Sequence, residues 1–506
     1  MLNKTSTHYK IGTRGSLLAL TQCNQVKIEL EKLTGDTFEL VQIKTQGDLI
    51  TNVPLWQLDG KDFFTKELDE ALLSGQVDLV VHSYKDLGSI RPEGITLAAV
   101  TKRQFAFDIL LIKKSTIKDL MNKKELIIGT SSPRRIVNLE NNFCCYLPVT
   151  PDTRITTKLL RGNVNTRIQK LRDGEFDAIV IALPGIERLA HTESSRAQLE
   201  ILLEGMNFMV LPQSIFPSSA AQGALGIECK KERSDQGILL TKLQLMQDLK
   251  TVEEVKRERL AFNQYGGGCH LAVGINVKKI HQFFIHSHLG IQENAAVKVS
   301  FLEGVELPSF SVPPRLFNGL PSDDLLVKKI PLTGIDLSNH PHLYVTTKYC
   351  IDKIINPPKS LWTSGTKSLK ELTKLGFWVN GCADGLGDDE IKNLRASKAL
   401  ALMIDTTAPL SVLSNDQATS TLGKVVPCYT RIVEEKLDKI FEERINNTDV
   451  FYWTSYFQYL AYIVKFPQIK NRVHATGLGK TYQQFCDNNI NVFPVASMEE
   501  FKTWVK

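Results

Sequence analysis

Residues 77–87 read VDLVVHSYKDL. The run Val77-Asp78-Leu79-Val80-Val81-His82 is mostly β-branched or aliphatic. It lacks the strict alternation of a strand with one wet face, so it predicts a strand buried on both sides, the habit of parallel sheets. The polar Ser83-Tyr84-Lys85-Asp86 that follows marks the end of that strand. Asp177-Ala178-Ile179-Val180-Ile181-Ala182 repeats the pattern. Between such runs, TKELDEALL (65–73) and NTRIQKL (165–171) carry apolar residues at helical spacing and read as crossover helices. The first 230 residues are therefore expected to be α/β.

In sheets of that kind ligands sit outside the C-terminal strand ends, where loops and helix N-termini present unpaired backbone N–H groups. HSYKD (82–86), GTSSPRR (129–135) and RGNVNTR (161–167) all fall near such ends and are expected to converge on one cleft. Arg14, Arg134, Arg135, Arg161, Arg167 and Arg188 recur there beside Ser, Thr or Gly. A guanidinium fork matches a carboxylate bidentately, so several in one cleft suit a ligand with many carboxylates. Singly, each is equally well a solvated surface arginine.

After Glu228 the pattern changes. A helical stretch over 251–263 leads into Gly266-Gly267-Gly268-Cys269, and short strands such as 271–277 follow, as in a smaller α+β unit. Residues 307–322, LPSFSVPPRLFNGLPS, are rich in Pro, Ser and Gly and read as a linker. Beyond it, LWTSGTKSLKELTKLGF (361–377) and VHATGLGKTYQQFCDNNI (473–490) each read as strand, Gly/Thr turn, helix and second strand, a weak repeat that predicts two similar α/β lobes.

Length and composition set bounds on these readings. At about 100–200 residues per domain, 506 residues suggest three to five domains. Hydrophobic residues at 42% and charged residues at 23% are the balance of a globular protein, not a disordered one. A net charge of +6 is small for this length, so clustered arginines favour local anion sites over a nucleic-acid surface. No run of about 18 apolar residues occurs, and the N-terminal stretch is not a secretory signal, so no membrane partner and a cytoplasmic location are expected. Nine cysteines without paired spacings argue for free thiols. The ten histidines show no metal-ligand spacing, and no metal is expected. Gly479-Lys480-Thr481 imitates the end of a phosphate loop, but His474 occupies the position that needs glycine.

Two further residues stand out. Asp86, after a very apolar run, suits a carboxylate that stabilises a developing cation, or equally a helix N-cap. Cys269 follows three glycines, a segment that lets a thiol approach a ligand closely, although a lone cysteine is more often inert and buried.

Taken together, IGTRGSLLALTQ (11–22), DGKDFFTKELDEAL (59–72), DLVVHSYKDL (78–87), IGTSSPRR (128–135), LRGNVNTR (160–167), ALPGIERL (182–189), AAQGALGIE (220–228) and GGGCHLAVG (266–274) resemble the hydroxymethylbilane synthase (porphobilinogen deaminase) family, in family order. The resemblance implies two lobes like those of periplasmic binding proteins plus a small α+β third domain. These would be a discontinuous domain 1 over 1–104 and 208–240, domain 2 over 105–207 and domain 3 over 241–310. It implies stepwise condensation of four porphobilinogen molecules, with loss of ammonia, to hydroxymethylbilane.

The implied primer is a dipyrromethane cofactor joined to Cys269 by a thioether. Its implied binding residues are Asp86, Lys61, Ser83, Lys85, Thr130, Ser131, Ser132, Arg134, Arg135, Arg161 and Gly162. Asp86, Lys85 and Arg14 are implied as catalytic, with Asp86 stabilising the cation that forms when ammonia leaves. Arg14, Ser16, Arg167, Arg188 and Gln222 are implied to contact substrate. A monomer is expected. Gln57 stands where many relatives have lysine, Pro133 where leucine or lysine is usual, and Ala221 where glycine precedes Gln222.

Beyond a linker at 311–324, residues 325–506 resemble uroporphyrinogen-III synthase, a two-lobed α/β enzyme that closes hydroxymethylbilane while inverting its last ring. The matching pieces are LWTSGTKSLKELTKLGF (361–377), VVPCYTRIV (425–433), VFYWTS (450–455) and HATGLGKTYQQF (474–485). Tyr429, Ser455 and Thr481 fall on its substrate-contacting positions. A fused enzyme of two activities is expected. The competing readings are a deaminase with a non-catalytic C-terminal module, and a solute-binding protein of the same lobed architecture.

Overall fold

The apolar run at 77–82 forms a central strand, and its neighbours show how the chain crosses itself. The computed structural model describes residues 6–45, 65–268 and 270–504; Gln57, Lys61 and Cys269 lie outside them. A first sheet begins with β1 (His8–Thr13), β2 (Thr37–Gln42), β3 (Leu79–Ser83) and β4 (Ile95–Val100). The chain then crosses to build a second sheet from β5 (Asp108–Lys113), β6 (Glu125–Gly129), β7 (Arg154–Lys158), β8 (Ala178–Ala182) and β9 (Met206–Val210). It returns with β10 (Leu225–Lys230), giving orders β2-β1-β3-β10-β4 and β7-β6-β8-β5-β9.

Strand β3 is parallel to β1 but antiparallel to β10, and β8 is parallel to β6 but antiparallel to β5. Both sheets are therefore mixed, a correction to the parallel reading. The segments that cross between them enter each sheet from the opposite end. Both faces are nonetheless covered, since Leu79, Val80, Ile179 and Val180 are fully buried. That burial explains the unalternating apolar runs, at about 1.5–3 kcal/mol per large aliphatic side chain.

The helix Leu249–Gln264 packs Ala261 against Val273 and Ile275 of a three-stranded antiparallel sheet, β11 (Ala272–Ile280), β12 (Phe283–Gln292) and β13 (Ala295–Glu303). Between helix and sheet, Gly266, Gly267 and Gly268 have φ of 92°, 60° and 89°, a left-handed turn that side chains resist.

The rest of the chain forms two sheets. The strands are β14 (Leu316–Phe317), β15 (Val327–Pro331), β16 (His342–Val345), β17 (Ser360–Thr363), β18 (Gly381–Cys382), β19 (Ser411–Asn415), β20 (Val425–Val433), β21 (Val450–Trp453), β22 (Val473–Gly477) and β23 (Phe493–Val495). Six of them pair in the order β15-β20-β19-β16-β17-β18 and four in the order β14-β21-β22-β23. The chain leaves the smaller sheet through β15 and returns through β20, its antiparallel partner.

The stretch read as a linker thus contains a strand. Leu316–Phe317 pairs in parallel with Val450–Phe451, and Phe317 lies buried among Phe451, Trp453 and Tyr462. Two residues are too few to show a period. The halves also meet edge to edge: Val210 N–H of β9 donates to Asn380 O, beside β18, at 2.8 Å.

Candidate active site

At the end of β3 the chain makes one tight helical turn, Tyr84–Asp86, fastened by Tyr84 N–H donating to Ala224 O at 3.0 Å and by buried Leu87. The turn leaves Asp86 exposed and Lys85 half-buried beside it, so Asp86 is not the cap of a regular helix. Lys85 Nζ donates to Gln222 Oε1 at 3.4 Å. Gln222 in turn donates to Ala106 O at 2.9 Å and Asp108 Oδ1 at 3.0 Å.

Asp108 is the hub, and the sequence reading missed it. It heads β5, is fully buried, and accepts from both members of the Arg pair. Arg134 and Arg135 lie in the first turn of the helix Pro133–Asn142, with Pro133 at a position where its missing N–H costs nothing. Arg134 Nη2 reaches Asp108 Oδ2 at 2.7 Å, and its Nη1 reaches Pro217 O at 2.9 Å. Arg135 grips both oxygens, Nη2 to Oδ1 at 2.7 Å and Nε to Oδ2 at 3.0 Å, and donates to Val180 O. Burial alone would raise the Asp108 carboxyl, but the two guanidinium groups outweigh it and hold the group below the usual carboxylate range.

Cations exceed that one carboxylate. Burial pulls Lys85 below its ordinary value, opposed by Asp86 and reinforced by Arg135. Arg167, held by Nε donating to Gly162 O at 2.7 Å, is brought down to about 10 by burial and by repulsion from Arg135 and Arg161. Arg188, buried, donates to Gly223 O at 2.7 Å and is also brought down to about 10 by burial. The Nε groups of Arg134 and Arg188 are buried without an acceptor. A surplus of buried positive charge with unused donors is costly in the free protein and fits a ligand rich in carboxylates.

The other predicted residues frame this cluster. Thr130, buried, accepts from Ser132 N–H through Oγ1, and Ser131 and Ser132 stand half-buried at the head of the same helix. Gly162 has φ of 113°. Ser83 Oγ accepts from Gln22 Nε2 at 2.9 Å. Ser16 caps the helix Leu17–Thr34 by accepting from Ala19 N–H, next to half-buried Arg14. Ala221, where glycine was expected, has φ of 63°, and its N–H donates to buried Glu258 at 2.7 Å.

Behind β3, the ligand atoms of Asp69, His82 and Glu228 lie within 4.8 Å of one another. Arg91 supplies the positive charge there, donating to Glu228 at 2.8 and 2.9 Å and to Asp69 at 2.5 Å. Burial, then Arg91 and Arg14, push His82 down to about 3, so it is neutral at physiological pH.

A second cleft of about 330 Å³ opens between the C-terminal lobes, lined by Lys329, Tyr349, Arg431, Ser455 and Gln458 among others. Lys329 Nζ sits 4.7 Å from the centre of the Tyr349 ring, and Arg431 lies 4.1 Å over Phe457. Buried Tyr429 packs on Tyr349 at 5.6 Å between ring centres, and Ser455 caps the helix Tyr456–Lys465. Thr481, in the helix Lys480–Asp487, is not among the lining residues. Lys329, Arg431 and Tyr349 were not anticipated.

A model of the porphobilinogen deaminase family, the dipyrromethane cofactor binding domain, matches residues 9–237. The porphobilinogen deaminase of Streptococcus sanguinis is 36% identical over 295 residues, 58% of this chain and 89% of that protein. The chain belongs to the porphobilinogen deaminase family. The porphobilinogen deaminases of Nitratiruptor sp. and Lachnospira eligens are 41% and 39% identical, over 52% and 53% of this chain and 77% and 83% of their own lengths. A solved polar amino acid ABC uptake transporter substrate binding protein from Streptococcus thermophilus is 17% identical, with a TM-score of 0.27 over 47% of this chain and 78% of that one.

The family's cofactor is dipyrromethane, and the cation surplus around Asp108, with its unused arginine donors, fits that group's carboxylates. The family model stops at residue 237, so the two C-terminal sheets lie outside it. No helix among the described residues is long and apolar enough to cross a membrane.

Proposed function

We propose that the N-terminal cleft condenses four porphobilinogen molecules to hydroxymethylbilane, and that the C-terminal cleft closes this product to uroporphyrinogen III. The observation that carries the first step is the cluster in which one buried carboxylate, Asp108, orients two of the arginines while Lys85, Arg167 and Arg188 remain to meet ligand carboxylates. In this reading the three domains keep the expected order, with the return to the first falling after β9, which pairs with β5, rather than at 208, and with the helix Ile238–Gln244 in the first domain's core rather than cut at 241. Dipyrromethane is joined through Cys269, after the left-handed glycine turn. When bound, the cofactor supplies the nucleophilic pyrrole carbon at which the chain grows.

The side chains divide the remaining work. Arg134, Arg135, Arg161, Arg167 and Arg188 bind acetate and propionate groups. Ser131 and Ser132 hold the cofactor, and Arg14 and Ser16 hold the incoming substrate. Asp86, exposed beside Lys85, stabilises the positive charge that ammonia loss leaves on porphobilinogen. Lys85, with its ammonium destabilised by burial, is suited to move a proton to the departing amine.

For the second step, support comes from a cleft lined by Lys329, Arg431, Tyr349 and Ser455, with buried Tyr429 packed against Tyr349 rather than lining it. Tyr429 is suited to hydrogen-bond the leaving hydroxyl. A tether between the two sites raises the local concentration of a product that otherwise closes to the wrong isomer.

Intact-mass measurement tests the first step. Protein made with a porphobilinogen supply should be heavier by one dipyrromethane, and the Cys269→Ser variant should lack it; a wild-type chain without the added mass would defeat the proposal. For the second step, hydroxymethylbilane given to the chain should yield the type III isomer.

A further inference from the structure

The return crossing from the second sheet to the first, residues 211–222, carries two groups that orient the deaminase cations. Pro217 O accepts from Arg134, and the Gln222 side chain joins Lys85 to Asp108. This segment begins where β9 ends, and both are gripped from the C-terminal half.

Asn380, almost fully buried, clips the edge of β9. Its carbonyl accepts from Val210 N–H, and its side-chain amide donates to Asn207 Oδ1 at 2.8 Å and Phe208 O at 3.1 Å. Trp378 Nε1 donates to the same Phe208 carbonyl at 2.9 Å. Four residues further, Asp384 accepts from both Ser214 N–H, at 2.9 Å, and Ser214 Oγ.

Ser214 lies inside a closed turn. Ile215 and Phe216 N–H both donate to Pro212 O, and Ser218 N–H donates to Gln213 Oε1. A bond to Ser214 therefore fixes the whole turn rather than one loose residue. Asp384 itself has φ of 55°, a left-handed conformation that persists in a side chain only where the surroundings hold it. Here Asp384 N–H donates to Cys382 Sγ and Gly385 N–H to Ser364 O.

We infer that Asp384, from the half of the chain outside the deaminase family match, is a positioning residue for the deaminase reaction: through Ser214 it sets the crossing segment that presents Pro217 O and Gln222 to the active-site cations. The C-terminal half is on this account part of the first enzyme's framework as well as the seat of a second cleft.

The test uses the full chain with Asp384→Ala, Ser214→Ala and, as the conservative variant, Asp384→Asn, which keeps one acceptor. Three quantities are read: hydrogen exchange of residues 211–222 without substrate, kcat and KM for porphobilinogen consumption, and Tm. Asp384→Ala should speed exchange in that segment and lower kcat about fivefold with KM little changed, since an interaction that acts only on the geometry of the reacting state appears in kcat. Asp384→Asn should recover part of both, and Tm should move by only a few degrees, on the order of one surface contact. Unchanged exchange in 211–222, or faster exchange with wild-type kcat, would overturn the assignment. So would a fall in kcat that merely tracks the fraction of chain still folded.

Discussion

The two clefts hold their positive charge in opposite ways. In the N-terminal cleft a fully buried carboxylate, Asp108, aligns Arg134 and Arg135 through three hydrogen bonds and reaches Lys85 through Gln222. The forks are therefore set before any ligand arrives. In the C-terminal cleft Lys329 and Arg431 rest over the aromatic faces of Tyr349 and Phe457. The nearby carboxylate Asp324 accepts from Gln458, Tyr462 and the Leu326 and Val327 backbone instead. Cation–π contacts of about 0.5–2 kcal/mol leave side chains freer than buried ion pairs do. On the proposed function, the difference suits one site that holds a growing chain in register and another that takes one flexible substrate whole.

The largest effect should come from breaking the hub. Asp108→Ala leaves two buried guanidinium groups uncompensated and should cost about 3–5 kcal/mol of folding free energy, read from urea unfolding. A loss under about 1 kcal/mol would mean that the arginines are not pre-set. Next, Asp86→Ala and Asp86→Asn should slow porphobilinogen consumption by at least about 10²–10³-fold while circular dichroism stays that of the wild type. Turnover near wild type in either variant would remove Asp86 from the mechanism.

A smaller effect is expected in the second cleft. Arg431→Gln should raise KM for hydroxymethylbilane about tenfold, about 1.4 kcal/mol, with deaminase turnover unchanged. An unaltered KM would leave that cleft without a carboxylate-binding role.

The smallest effect is in pH dependence. Because the folded-state value of Asp108 is depressed, its stabilising contribution is complete above the ordinary carboxyl value and drains away as pH falls toward the depressed one. The stability gap between wild type and Asp108→Asn should be flat from about pH 5 to 8 and narrow below about pH 4. A gap that widens on acidification would contradict the assignment.

What could be read from the sequence follows the same divide. The arginines of GTSSPRR stood out because they follow the apolar strand ELIIG, and those of RGNVNTR because they flank a Gly-Asn helix start, so chemistry and position coincided. Asp108 did not, since an aspartate opening the run DILLIK looks like any strand start, and only the crossing of the chain brings Gln222 and the Arg pair to it. Strand direction was equally hidden: local pattern shows that β3 and β8 are buried, not that β10 and β5 run against them. In the C-terminal half, Lys329 and Arg431 sit on a half-exposed antiparallel pair and read as solvated charges, while β14 is too short to carry a period. Tyr429 and Ser455 were named from resemblance, and the structure sets them at or beside one cavity, with Thr481 not lining it.

Whether the two clefts act in sequence on one polypeptide is tested most directly by a single incubation. The purified chain is given porphobilinogen alone, and the products are oxidised and separated by isomer. The type III isomer is expected to predominate, and to give way to type I when Tyr429→Phe replaces the wild type. Type I as the sole product of the wild-type chain would contradict the account, leaving a porphobilinogen deaminase whose C-terminal half does no chemistry.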